Sequence, residues 1–146
     1  MWNRTLSTAL FFGLCLGVAP AMAQTTATTP PIDLSQAGTT PAENQAFVAA
    51  MTPEDQANVI TACVPVIIAP DANTPPTVVS FCNAVSEAGV PAAGTTPEEN
   101  MAFFNSLPAA QQENVKAACT PAASATPTGS TNPAMLLNFC QSVASP

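Results

Sequence analysis

The 146-residue chain contains no histidine and no tyrosine, a single tryptophan at position 2, and only two basic residues, Arg4 and Lys116, against nine carboxylates. The missing imidazoles remove the commonest general base and the commonest nitrogen ligand for a metal. The missing cations exclude binding to a polyanion, because nothing could neutralise phosphates or release their counterions. Nucleic acid and phosphate-rich ligands are therefore not expected as partners, and no cofactor is indicated. Long apolar runs are also scarce. The longest, Leu6 to Val18, has 13 residues, short of the roughly 20 that a spanning helix needs.

That run has a specific setting. Met1 to Arg4 form a short positive start, and Pro20 to Ala23 close the segment with Ala-Met-Ala. This is the layout of a cleaved secretory signal, so residues 1–23 are expected to be removed, with Gln24 as the new N-terminus and the periplasm or external medium of a bacterium as the destination. A lipid anchor on Cys15 is the weaker alternative, since Leu14 stands where a small residue would be required. After cleavage Lys116 faces all nine carboxylates alone, and no stable membrane insertion is expected.

Comparing the chain with itself reveals a duplication. Gly38-Thr-Thr-Pro-Ala-Glu-Asn-Gln-Ala-Phe47 returns 56 positions later as Gly94-Thr-Thr-Pro-Glu-Glu-Asn-Met-Ala-Phe103, and 13 of the 26 positions from Gly38 to Cys63 are identical. Beyond a two-residue insertion Pro75, Phe81, Cys82 and Val85 match Pro133, Phe139, Cys140 and Val143. The organisation read from this is a Thr/Pro-rich, disordered tail over 24–37, a first helical unit over 38–88, a linker over 89–93 and a second helical unit over 94–146.

Each unit is read as three short helices, giving an all-α fold. The first helix opens at Thr40 or Thr96, with proline next and Glu43 or Glu99 three residues on, the pattern of a capping box. Phe47, Val48 and Met51, and their counterparts Phe103, Phe104 and Leu107, would form its buried stripe. The second helix starts at Thr52-Pro53, or less well capped near Pro108, and carries Val59 and Cys63, or Val115 and Cys119. The third starts after Thr74 or Asn132 and presents Val78, Cys82 and Val85, or Leu136, Cys140 and Val143. Val64 to Ile68 is the best candidate for a strand, but Pro65 would interrupt its ladder.

Four cysteines remain after Cys15 is removed, and they allow three pairings. A unit copied whole carries its own bridge, which favours Cys63 with Cys82 and Cys119 with Cys140. Redox work and a four-thiolate zinc site are the alternatives, but neither unit has the Cys-x-x-Cys spacing that both usually show.

Catalysis would have to come from carboxylates, hydroxyls or Lys116. Glu43 and Glu99 could be related as the two carboxylates of a hydrolase are, yet their capping positions account for them. Glu54-Asp55 and Glu98-Glu99 suit the positive end of a helix dipole. Lys116 is expected at a helix margin with its ammonium in water. Asp71-Ala-Asn73 reads as a turn that lacks the glycine and terminal glutamate of a calcium loop.

The units differ most after the second-helix cysteine, where Val64-Pro-Val66-Ile67-Ile68 faces the polar Thr120-Pro-Ala-Ala-Ser124. Read as a loop, Val64, Val66, Ile67 and Ile68 either fill the seam between the units or cover the first core, or else they form an exposed apolar binding surface. The functional expectation is a non-enzymatic exported binding or structural module that acts through protein-protein contacts. The alternative is a carrier of small, lipid-like apolar molecules in a cavity between helices bearing Phe47, Phe103, Phe104 and Phe139, with Met101 and Met135 as adaptable walls.

Overall fold

The computed structural model describes residues 32–124 and 134–144, and among them the regular structure is helical, with no strand. Six α-helices follow in order: α1 (Pro41–Ala49), α2 (Pro53–Ile68), α3 (Pro76–Ala88), α4 (Pro97–Ser106), α5 (Ala109–Ala123) and α6 (Met135–Ala144). Short 3-10 turns precede α1 at Leu34–Gln36 and α4 at Pro91–Ala93. The export signal, the first part of the Thr/Pro tail and the start of the third helix at Asn132 lie outside the described residues.

The helix starts show why the Gly-Thr-Thr-Pro-x-Glu motif takes the form it does. Thr40 Oγ1 accepts from the Glu43 N–H at 3.3 Å, and the Glu43 carboxylate turns back to accept from the N–H groups of Thr39 and Thr40 at 2.9 Å each. The same arrangement recurs at α4, with Thr95 and Thr96 donating to Glu99 at 2.8 and 3.0 Å. One carboxylate thus satisfies the N–H groups of the cap residue and of the residue before it, while the threonine hydroxyl takes an orphan donor of the first turn. The glycine belongs to the device as well. Gly94 has φ of +73°, and a Cβ there would sit 2.5 Å from Glu99 Cβ, while one on Gly38 would collide with Glu43. Only glycine lets the chain fold back over its own cap.

Packing ties each set of three helices together in the same two ways. Phe47 meets Phe81 edge to face with ring centroids 6.2 Å apart, docking α1 on α3, and Phe103 meets Phe139 at 6.0 Å, docking α4 on α6. Cys63–Cys82 joins α2 to α3, and Cys119–Cys140 joins α5 to α6. The pairing favoured by the duplication is therefore the one formed.

The two sets are not separate beads. α2 lies against α3 on one side and most extensively against α5 on another, α3 also touches α6, and one continuous core runs through both. This central position explains a contrast between matched helices. α2 buries Gln56, Ala57, Val59, Ile60, Cys63 and Val64, an arc of nearly half its circumference, whereas α5 buries only the single stripe Val115, Cys119 and Ala122. Ile60 is fully enclosed while its counterpart Lys116 is exposed, as a helix margin requires.

Three expectations need correction. Val64 to Ile68 is not a loop: α2 continues through Pro65 to Ile68, and α5 through Pro121 to Ala123. Both prolines are exposed and sit in the last turns, where the missing N–H costs one solvent-side hydrogen bond and Pro65 still closes the helix by accepting from Ala69 N at 3.0 Å. Core contacts made by Val66, Ile67 and Ile68 hold that turn in place. Secondly, α3 begins one residue later than expected, with Pro75 rather than Thr74 at its N-cap, and Thr74 instead closes a turn onto Asp71. Thirdly, the connector after Ala88 is not a loose linker, since Val90 and Ala93 are core residues and Gln56 Oε1 accepts from Ala92 N at 2.9 Å. The end of the tail behaves likewise, with Ile32, Leu34 and Ala37 packed on the core.

Candidate functional site

The apolar residues singled out in the sequence occupy one helical turn, where consecutive side chains diverge by about 100°. Val64 is fully buried, and Val66, Ile67 and Ile68 are half-buried against the core. Of the aromatic side chains meant to line a carrier cavity, Phe103 and Phe139 are buried edge to face against each other, Phe104 is buried, and Phe47 is half-buried on Phe81.

The candidate catalytic groups are also placed. Glu43 and Glu99 each cap their own helix, and these bonds hold both carboxyls below the ordinary value of 4.5. For Glu43 the chief cause is the Thr40 N–H, followed by the Thr40 hydroxyl and the Thr39 N–H. For Glu99 it is the Thr95 N–H, followed by the Thr96 N–H and hydroxyl. Asp33 is lowered in the same manner by the Ser35 N–H. A carboxyl held ionised on backbone donors is poorly suited to deliver a proton. Asp71 Oδ1 accepts from both the backbone and the side-chain nitrogen of Asn73, at 2.9 and 3.1 Å, and forms the expected turn. Among the described residues no three His, Cys, Asp or Glu side chains converge as a metal site would need.

The lowered carboxyls fix the direction of a pH effect. Because Glu43 and Glu99 are more acidic folded than unfolded, their contribution to stability is complete above the ordinary carboxylate range and disappears as the pH falls through their lowered folded values. Glu43→Gln and Glu99→Gln keep an acceptor oxygen but remove the charge. Each is expected to lower the melting temperature at neutral pH, and the gap to the unmodified chain should narrow progressively as melts are taken to acid pH below the ordinary carboxylate range. A gap that persists in acid would show that shape, not charge, matters at the cap.

A feature not anticipated from the sequence lies between α4 and α6. A groove of about 440 Å³ is bounded by Pro97, Asn100 and Met101 on α4 and by Asn138, Gln141 and Ser142 on α6, with Thr95 at one end. Both triplets have the three-and-four spacing of a single helix face. Asn100 forms part of the floor and is only 4% exposed. Its Nδ2 donates to Ser142 Oγ at 3.2 Å, and Ser142 Oγ donates to the Asn138 carbonyl at 3.0 Å. At the matched place in the first half, Ala84 stands where Ser142 does, and the buried Asn44 Oδ1 has no hydrogen-bond partner. The signal available in the sequence was the polar stripe Asn138, Gln141 and Ser142 on an otherwise apolar helix.

The surface of the described residues is acidic. All nine carboxylates are exposed, as is Lys116. No helix among the described residues is long and apolar enough to cross a membrane. In comparisons with known proteins, the chain matches no family model, no curated protein and no solved structure.

Proposed function

We propose that the chain is an exported, non-enzymatic binding or structural module, built from two copies of one helical unit, that acts through protein-protein contacts at its surface. One observation carries this reading most: every carboxylate is exposed on a core stapled twice by disulfides, against the single exposed cation Lys116, so the described body presents a predominantly negative surface. Such a surface accelerates encounter with basic proteins and repels anionic lipid and nucleic acid. Buried disulfides suit an oxidising compartment, in agreement with the export signal. The matched caps, ring pairs and bridges support a common origin for the two halves.

The test is capture from an envelope extract of the producing cell by the immobilised folded chain, with the reduced and alkylated chain as control. A protein retained by the folded form at low salt, released at high salt and not retained by the unfolded form is the expected result. Equal retention by both forms would reduce the interaction to bare charge. Co-purification of lipid, seen by native mass spectrometry, would instead favour the apolar carrier.

A further inference from the structure

The structure assigns to α1 the part of a lid: this helix opens by itself and uncovers Phe81, while the other five helices stay folded. The duplication supplies an internal control. α1 and α4 begin with the same capping box, at Thr40 and Glu43 or at Thr96 and Glu99, so the local signal that starts each helix is the same. They differ in how they are docked. α4 buries Asn100, Phe103 and Phe104 and ends on the buried Leu107, whereas α1 buries only Asn44 and Val48 and leaves Phe47 and Met51 half-buried. The turn leading into α4 belongs to the core through Val90 and Ala93 and is pinned to α2 by Gln56. The matched Leu34 and Ala37, in front of α1, are only half-buried.

One buried group makes the docked position of α1 costly. Asn44 is 3% exposed, and its Oδ1 has no hydrogen-bond partner among the described residues. A buried acceptor without a donor gives up its water and gains nothing in return. When α1 lifts, that oxygen is hydrated again, so the orphan favours the open state. In the second half the matched Asn100 is tied to α6, because its Nδ2 donates to Ser142 Oγ, whereas α3 has Ala84 at that place. Neither bridge restrains α1. Cys63–Cys82 joins α2 to α3 and Cys119–Cys140 joins α5 to α6, so α1 can leave while both stay closed. Its departure takes Phe47 off the Phe81 ring, which is 2% exposed in the closed form. Once undocked, a helix of nine residues is too short to keep its own hydrogen bonds in water, and each opening exposes its amides.

Amide hydrogen exchange of the full chain with both bridges, followed by NMR in native buffer, tests this. After correction for local sequence, Phe47 and Val48 should exchange about tenfold or more faster than the matched Phe103 and Phe104. Ala84→Ser supplies the missing hydroxyl, and Asn44→Leu replaces the orphan amide with an apolar side chain of similar size. Each should slow exchange in α1 about fivefold. Ser142→Ala unties Asn100 and should speed exchange in α4 while leaving α1 unchanged, since α1 opens with α4 still docked. Melting temperatures show which variants are folded, and the comparison within the unmodified chain holds whether or not a variant folds. Protection in α1 equal to that in α4 would overturn the proposal. So would α1 rates that stay the same in the folded Ala84→Ser and Asn44→Leu variants. Acceleration of α1 together with α4 in Ser142→Ala would show that α1 opens only when the whole chain does, which also removes the lid.

Discussion

A chain cut after Ala88 is expected to lose its cooperative thermal transition. The cut removes α5, the most extensive neighbour of α2, together with the contact of α3 with α6. Val59, Ile60 and Val64 are fully enclosed in the complete chain, and side chains of this kind each contribute about 1.5–3 kcal/mol when buried. The cut also removes the connector, so Gln56 Oε1 loses the Ala92 N–H and Val90 and Ala93 leave the core. Against a total stability of about 5–15 kcal/mol for an ordinary domain, re-exposing even part of this surface exceeds what a unit of roughly 50 residues can spare. Circular dichroism melts and size-exclusion chromatography decide the matter. A broad, low-temperature transition or a dimer is expected. A sharp transition at the midpoint of the full chain would mean that the first three helices fold alone.

The same dependence between halves separates what was legible in the sequence from what was not. The starts of α1, α2 and α4 could be read because capping is local: Thr40, Thr52 and Thr96 each act on a residue three positions away. The disulfide pairing could be read because the duplication supplies a second copy of the same constraint. Pro65 and Pro121 misled because a proline in sequence reports its lost hydrogen bond, not the core contacts of Val66, Ile67 and Ile68 that outweigh it in the last turn. The connector misled for the opposite reason. Gly89 and Pro91 mark a change of direction, and only the packing of one half on the other makes Val90 and Ala93 core residues. Of the groove, the sequence showed only one wall, the polar stripe of α6. The groove itself requires α4 and α6 to lie side by side, a placement made by the Phe103 and Phe139 contact across a long stretch of chain.

Removal of the bridges is the second large effect. Each closes a loop of about 20 residues, with separations of 19 and 21, and chain entropy assigns such a loop about 3 kcal/mol. Replacing Cys63 and Cys82 with Ala, or Cys119 and Cys140, should therefore move the urea midpoint by an amount equivalent to about 3 kcal/mol. The two losses together would take most of the stability of a domain this small. Access to the bridges should be as telling as their energy. All four cysteines are at most 1% exposed, so a thiolate reductant reaches them only after the helices separate. Incubation with dithiothreitol in native buffer should leave both bridges intact for as long as the fold holds, and moderate urea should accelerate reduction in step with unfolding. Reduction at the same rate with and without urea would show that the bridges open without global unfolding. Once reduced, the chain should aggregate, because the last turn of α2 is no longer held near α3 and exposes Val64, Val66, Ile67 and Ile68. Replacing Ile67 and Ile68 with Ser should suppress that aggregation, as measured by light scattering. It should also lower the stability of the oxidised form, since both side chains pack against the core. If the double variant suppressed nothing, the aggregating surface would have to lie elsewhere in the opened chain.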